Sequence, residues 1–358
     1  MDIIASQSRP VKPCKQPVGK PLSYRIEATE PRLTGYGGAG LMAQFMQRLR
    51  VPESLAALPG LPQTRRYPVW RTLLAMLYGL MLDRSRQAEV AALDADPVFL
   101  QLTGLSALPS QSALSRCLSR LRAATAHGLL EANRALVAKV RKGFAGRDTL
   151  TLDFDRHVQT CRGRPQCSAV GYNPRRRGAP SYKPLFAFVG ETRDFVGGRF
   201  HPGNRADLAG AQALFDELRR WLKRIGFRGR LQFRADNGFY AWWFLEHLER
   251  ARVTYAIVAD LKGLAPRLVG LDYRPLDGEY AVAEFWHQAP QWQRPRRIIA
   301  IRRRVDPKEP KRGKQLKLFE AQGYSWQAIV TNSEDAPEAV WRFYNGRCNV
   351  ENLIKSLP

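Results

Sequence analysis

The chain has 358 residues, 44% of them hydrophobic, enough for a sizeable core and for two or three domains. Lys and Arg number 57 against 32 Asp and Glu, and a net charge of +25 points to a polyanionic partner, because each phosphate neutralised by a cation releases counterions. No apolar run approaches the ~20 residues of a membrane-spanning helix, the polar start has no signal-peptide core, and the cysteines form no CxxC pair, which together exclude a membrane-embedded class and point to a reducing cytoplasm.

Residues 1–30 carry several prolines and scattered Lys and Arg, and read as a flexible basic arm. Residues 31–145 read as an all-helical domain and a candidate DNA-binding unit. Leu41, Phe45 and Leu49 fit one helical stripe, and Trp70, Leu73, Leu74, Leu77, Leu80 and Met81 fit another. Ser110 can cap a helix with an apolar side at Leu114 and Cys117 and an outer face at Arg116, Arg120 and Arg122, a pattern compatible with a helix-turn-helix reader and also with plain core packing.

The period changes from helical to alternating at Asp148. Thr149 to Asp155 reads as a strand, followed by an Arg/Gly/Pro-rich loop over 162–182 that contains Arg175-Arg176-Arg177. Strands are predicted over 184–190 and 194–200, a helix over 207–225, a strand over 231–236, a helix over 240–251 and a strand over 253–258. This order gives an α/β fold with a mixed sheet over 146–262, not a doubly wound parallel one. Residues 263–333 hold short β-like segments and read as a β-rich insertion, with a final helix over 334–358.

The acids carry the chemistry. Asp153 and Asp155 lie two apart on one strand and so face the same side, which is costly in an apolar strand unless they are paired or metal-bound. Asp236 ends a strand before a sharp Asn237-Gly238 turn, at the carboxyl edge where ligands of open α/β sheets gather. Tyr344, Arg347 and Glu351 are spaced three and four apart, as on one helix face. Hard carboxylate oxygens suit Mg²⁺, and a pair of such ions can assist an in-line displacement at phosphorus. Cys161 and Cys167 near His157 match no standard zinc framework.

Several segments in this order resemble the DDE-type transposases of bacterial insertion sequences, most closely the insertion sequence 1380 group. They are Leu152-Asp153-Phe154-Asp155, Gly171-Tyr172-Asn173-Pro174, Lys183-Pro184-Leu185, Glu191-Thr192-Arg193, Pro202-Gly203-Asn204, Arg234 through Phe239, Phe343 through Arg347, and Val350-Glu351-Asn352. The resemblance implies a ribonuclease-H-like catalytic core and a catalytic, metal-binding triad of Asp155, Asp236 and Glu351, with Asp153 as the alternative ligand. It implies two Mg²⁺ or Mn²⁺ ions, double-stranded DNA at terminal inverted repeats as substrate, and a homodimer in the synaptic complex, all in the bacterial cytoplasm. Tyr344, Arg347 and Lys355 would contact DNA near the cut; Trp286 and Trp292, with the arginines of 294–304, could face it from the insertion, the alternative and commoner role of such tryptophans being core packing. Two departures stand out: Arg156-His157 replaces the usual small hydroxyl residue after the first aspartate, and the sequence stops soon after Glu351, as a C-terminally truncated product would. The alternative functions are an inactive DNA-binding remnant and a ribonuclease-H-like nuclease.

Overall fold

The computed structural model describes residues 33–64, 67–163, 165–205, 208–305, 320–321, 323–348, 352 and 354. The predicted basic arm, Glu351 and Lys355 lie outside them.

Helices α1 (Ala39–Leu49), α2 (Val51–Ala56), α3 (Val69–Met81), α4 (Gln87–Ala92), α5 (Pro97–Thr103), α6 (Gln111–Ser119) and α7 (Ala123–Val140) build the N-terminal unit. Its core gathers Ala39, Ala43, Met46, Leu55, Leu74, Tyr78, Phe99 and Leu114. Small side chains on α1 thus make the inner face, and the predicted Leu41–Phe45 stripe points outward, at 73% and 54% exposure. Ser110 caps α6 as predicted, its hydroxyl accepting from the Ala113 amide, while Leu114 and Cys117 are buried. Helix α7 spans two cores, with Leu129, Ala132 and Leu136 against the first and Val137 and Ala138 against the second.

The second part runs β1 (Thr149–Arg156), β2 (Gln159–Thr160), β3 (Ala169–Val170), β4 (Pro180–Tyr182), β5 (Leu185–Val189), β6 (Asp194–Arg199), α8 (Leu208–Arg224), β7 (Arg230–Ala235), α9 (Trp242–Arg250), β8 (Thr254–Val258), α10 (Ala265–Val269), β9 (Arg274–Asp277), β10 (Tyr280–His287), β11 (Arg296–Arg304), β12 (Glu320–Ala321), β13 (Tyr324–Thr331) and α11 (Pro337–Asn345). Among the described residues one sheet has the order β6-β5-β1-β7-β8-β13-β11-β10-β9, with β12 paired to β13. Strands β6, β5 and β1 are antiparallel neighbours, whereas β1-β7 and β7-β8 are parallel. That meander joined to two parallel strands is the ribonuclease-H-like arrangement the sequence predicts.

The 263–333 segment does not stand apart as a separate sheet. Ile329, Val330 and Thr331 of β13 pair with Val258, Ile257 and Ala256 of β8, so the β-rich segment continues the central sheet. Its alternating Ile298, Ala300 and Ile299, Ile301 feed opposite faces, as the strand period requires.

One face of the sheet packs Leu150, Leu152, Phe154, Phe233, Ala235 and Tyr255 against Leu214, Phe215 and Leu218 of α8 and Phe244 and Leu248 of α9. The other packs Ala256, Ile299, Ile301 and Ile329 against Val340 and Tyr344 of α11. The acids of β1 lie on this second side, since they alternate with Leu152 and Phe154.

Arg134 of α7, 1% exposed, ties the two parts together: its Nε donates to the Val196 carbonyl at 2.7 Å and its Nη1 reaches Glu217 of α8 at 2.5 Å. Burial pushes the Glu217 carboxyl up, but the bonds from Arg134 and Arg199 outweigh it and hold the group below its ordinary value of 4.5. A depressed carboxylate contributes stability that is present above its ordinary value and lost as pH falls through the folded one. Glu217→Gln is therefore expected to cost ~2 kcal/mol near neutrality, with the gap to wild type closing as pH drops below 4.5. Urea unfolding across that range checks both the size and the sign.

Candidate active site

Strand β1 and strand β7 pair in parallel with Asp153 opposite Arg234 and Phe154 opposite Ala235. The offset is 234 − 153 = 81 and 235 − 154 = 81. One step further it brings Asp155 opposite Asp236, on strands ~4.8 Å apart. Register partners on neighbouring strands face the same side, so both acids sit at the carboxyl edge on the α11 side. Asp236 leaves the strand in extended geometry and its Oδ1 accepts from the Gly238 amide at 3.0 Å, which fixes the carboxylate at the head of the turn.

Arg347 reaches the same place from the C-terminal side. Its Nη1 donates to Asp155 Oδ1 at 3.2 Å, and the residue is 7% exposed. Ile354, 4% exposed, packs on Phe188 with Phe186 beside it. Those two phenylalanines are the β5 partners of Asp153 and Asp155, so the chain beyond Arg347 returns to the face that carries the acids.

Asp153 has a different task. Arg234 Nε and Nη2 donate to its two oxygens at 2.6 and 2.7 Å, and its side chain is fully buried. Burial pushes the Asp153 carboxyl above the ordinary carboxylate range, and Arg234 pulls against that shift. Arg234 Nη1 also donates to the Phe343 carbonyl at 2.6 Å, and its guanidinium lies 4.9 Å from the Phe343 ring. Both oxygens are committed to an arginine, so Asp153 is poorly suited to the alternative ligand role the sequence allowed it. It anchors α11 instead. Two glycines make room: a Cβ on Gly346 would lie 2.2 Å from Arg234 Nη1, and one on Gly190 would lie 2.5 Å from Arg234 Nη2.

The donor set suits a hard divalent cation, because Asp155 and Asp236 offer only oxygens at adjacent strand ends. Among the described residues no three His, Cys, Asp or Glu side chains are grouped closely enough to hold a metal ion. The third acid predicted from the sequence, Glu351, lies outside them.

The sequence pattern of the family described as Transposase DDE domain group 1 matches residues 17–357. The chain belongs to that family. It is a DDE transposase by family, and no curated protein matches it. Solved structures similar to it include a piggyBac transposase synaptic complex with hairpin DNA, at 12% identity over 88% of this chain and 67% of that one with a TM-score of 0.44. A Mos1 transposase paired-end complex with left transposon end matches at 14% identity over 54% of this chain and 60% of that one, with a TM-score of 0.23. The transposase thus spans about two thirds of the first of these chains. No helix among its described residues is long and apolar enough to cross a membrane.

Other predicted contacts of the transposase fall unevenly. Arg116 and Arg120 are exposed at the end of α6, and Trp286 is 62% exposed on β10. Trp292 is not at the surface: it is 6% exposed, with Tyr240 and His287 edge-on and the Arg296 guanidinium 4.7 Å above it. Arg296 is itself buried and pairs with Glu249 through Nε at 2.8 Å, so this arginine belongs to the core and not to a DNA-facing strand. Tyr344 is 7% exposed within the apolar α11 cluster, not on a polar helix face. The reason is local: α11 ends at Asn345, and Gly346 and Arg347 form a turn, so Tyr344 and Arg347 do not continue on one helix.

Arg156, directly after the first aspartate, lies with its guanidinium 4.6 Å from the Phe239 ring. A Cβ on Gly238 would be 3.0 Å from Asp236 Oδ1 and 3.7 Å from Arg156 Nη1, so this arginine borders the Asp236 turn. Sequence reading gave neither arginine a role at the site; the shared offset of 81 for the pairs 153/234 and 155/236 was the signal that could have exposed that of Arg234.

Proposed function

We propose that this transposase cleaves DNA at the terminal inverted repeats of an insertion sequence and transfers the freed strand to target DNA, using Asp155, Asp236 and Glu351. The observation that carries the reading is the β1-β7 register, whose last pair, Phe154 with Ala235, directly precedes Asp155 and Asp236, while Arg347 reaches Asp155 at 3.2 Å. Two Mg²⁺ or Mn²⁺ ions held by these acids would supply Lewis-acid stabilisation of the charge that develops on phosphate oxygens. In cleavage a water oxygen forms a bond to phosphorus while the bond to the 3′ oxygen breaks; in transfer that 3′-hydroxyl gives up its proton and bonds to a target phosphorus while the target strand's own 3′ oxygen leaves and takes up a proton. Arg347 holds the phosphate in line, a guanidinium being suited to two-point contact with its oxygens. Arg234 keeps α11 against the sheet so that Arg347 stays in reach. The exposed Arg116 and Arg120 grip duplex DNA, and two copies of the chain act on paired ends.

The test is incubation of the full chain with a labelled terminal-repeat duplex. Mg²⁺- or Mn²⁺-dependent nicking at the repeat end, stopped by chelation, is expected. Salt-sensitive binding without any nicking would leave only the DNA-binding remnant.

A further inference from the structure

Three sequence motifs not used by the acids meet in one place. Gly171-Tyr172-Asn173, Ser181 to Lys183 and Pro202-Gly203-Asn204 surround the small sheet β2-β4-β3 that follows Asp155. The contact is tight: a Cβ on Gly171 would lie 2.2 Å from the Gly203 carbonyl oxygen, and one on Gly203 would lie 2.2 Å from Ser181 Oγ. Gly203 N donates to the Ser181 carbonyl at 2.8 Å, Lys183 N donates to the His201 carbonyl at 2.8 Å, and Tyr182 bridges Pro202.

Asn173, 3% exposed, builds the neighbouring turn. Its Nδ2 donates to Thr160 Oγ1 at 2.9 Å and its Oδ1 accepts from the Arg175 and Arg176 amides, both at 3.1 Å. The result is a built platform that holds cations and rings outward. Arg175, Arg176 and Arg177 are exposed, and Arg176 and Arg177 line a cleft of about 400 Å³ with Arg162. Tyr172 is 72% exposed with the Lys183 ammonium 5.8 Å from its ring, and Phe200, 63% exposed, stacks on Tyr182 at 4.5 Å.

The platform is continuous with the acids. Lys183 is close enough to Arg156 for that guanidinium, after burial, to lower its pKa, and Arg156 borders the Asp236 turn.

We propose that this platform binds unpaired nucleotides at the DNA end being cut, with Tyr172 stacking on a base and Lys183 and Arg175–Arg177 taking the phosphates. The proposal rests on the transposase reading above. Arginines alone would serve a duplex, whose base faces are hidden. A tyrosine held outward between the tightly packed Gly171 and the buried Asn173, with its ring outside the core, suits a flat apolar partner, and an unstacked base is the one nucleic acid offers.

The test uses the full chain with Ca²⁺ and two probes, a short duplex with a single-stranded tail carrying 2-aminopurine and the same duplex blunt-ended. Tyr172→Ala is expected to weaken binding of the tailed duplex ~10-fold and to abolish 2-aminopurine quenching, with blunt-duplex affinity unchanged. Tyr172→Phe keeps both, and Arg175→Ala with Arg176→Ala lowers the salt dependence on the tailed probe. Equal affinity of Tyr172→Ala for the tailed probe, or an equal loss on both probes, would overturn the proposal. Because this readout is binding without chemistry, it is independent of the nicking assay that decides the cleavage reading.

Discussion

Asp236→Asn is expected to abolish metal-dependent nicking of a terminal-repeat duplex, and Asp155→Asn to do the same. Each replaces an anionic oxygen ligand with a neutral amide at the strand edge that follows the last β1-β7 pair, Phe154 with Ala235. Losing one ligand from a site that stabilises phosphoryl transfer costs ~4 kcal/mol or more of the barrier, roughly a 10³-fold loss of rate. The fold should be undisturbed, because the turn bond that the Asp236 carboxylate accepts from the Gly238 amide can be accepted equally by an Asn oxygen. Gel assays of nicking beside circular dichroism measure the two effects separately. A variant that folds and still cuts within threefold of wild type would remove Asp236 from the chemistry.

The second large effect concerns Arg234. Arg234→Ala leaves the fully buried Asp153 carboxylate without its bidentate partner and frees the Phe343 carbonyl. Breaking one side of a buried pair costs ~3–5 kcal/mol. Arg234→Lys is no remedy, since an ammonium cannot bind both Asp153 oxygens in a fork and reach the carbonyl as well. Replacing both members, Asp153→Leu with Arg234→Met, should recover most of the loss, because no charge is then stranded in the core. Gly346→Ala should act in the same direction, its Cβ falling 2.2 Å from Arg234 Nη1. Urea unfolding followed by tryptophan fluorescence resolves these cases. A double variant as unstable as Arg234→Ala would mean that lost packing, not the stranded charge, sets the cost.

Much of this was legible from residue patterns. Alternation over Thr149 to Asp155 marked β1, and the period-two spacing of its acids put both on one face. The difference 236 − 155 = 81 equals the offset of the observed β1-β7 register, so the spacing of the two aspartates in sequence agrees with the pairing of the strands that carry them. Helix α8 was equally plain, because Leu214, Leu218 and Leu222 recur at helical spacing and all are buried. Other features depended on contacts between distant segments, which local period cannot report. Ile329 pairs with Val258 across the segment read as an insertion, and so merges it with the core sheet. Trp286 and Trp292 look alike in sequence, yet one is 62% exposed and the other 6%, because Tyr240 and Arg296 close over Trp292 alone. The spacing of Tyr344 and Arg347 suited a continuous helix, but α11 ends at Asn345, and the missing side chain of Gly346 leaves room for Arg234 to reach the Phe343 carbonyl.

The claim that Asp155 and Asp236 jointly hold a divalent ion is tested most directly by Mn²⁺ binding to the full chain, followed by electron paramagnetic resonance of the free ion. Wild type is expected to take up Mn²⁺, and the Asp155→Asn/Asp236→Asn variant to lose that uptake while remaining folded. Equal uptake by the two proteins would contradict the account.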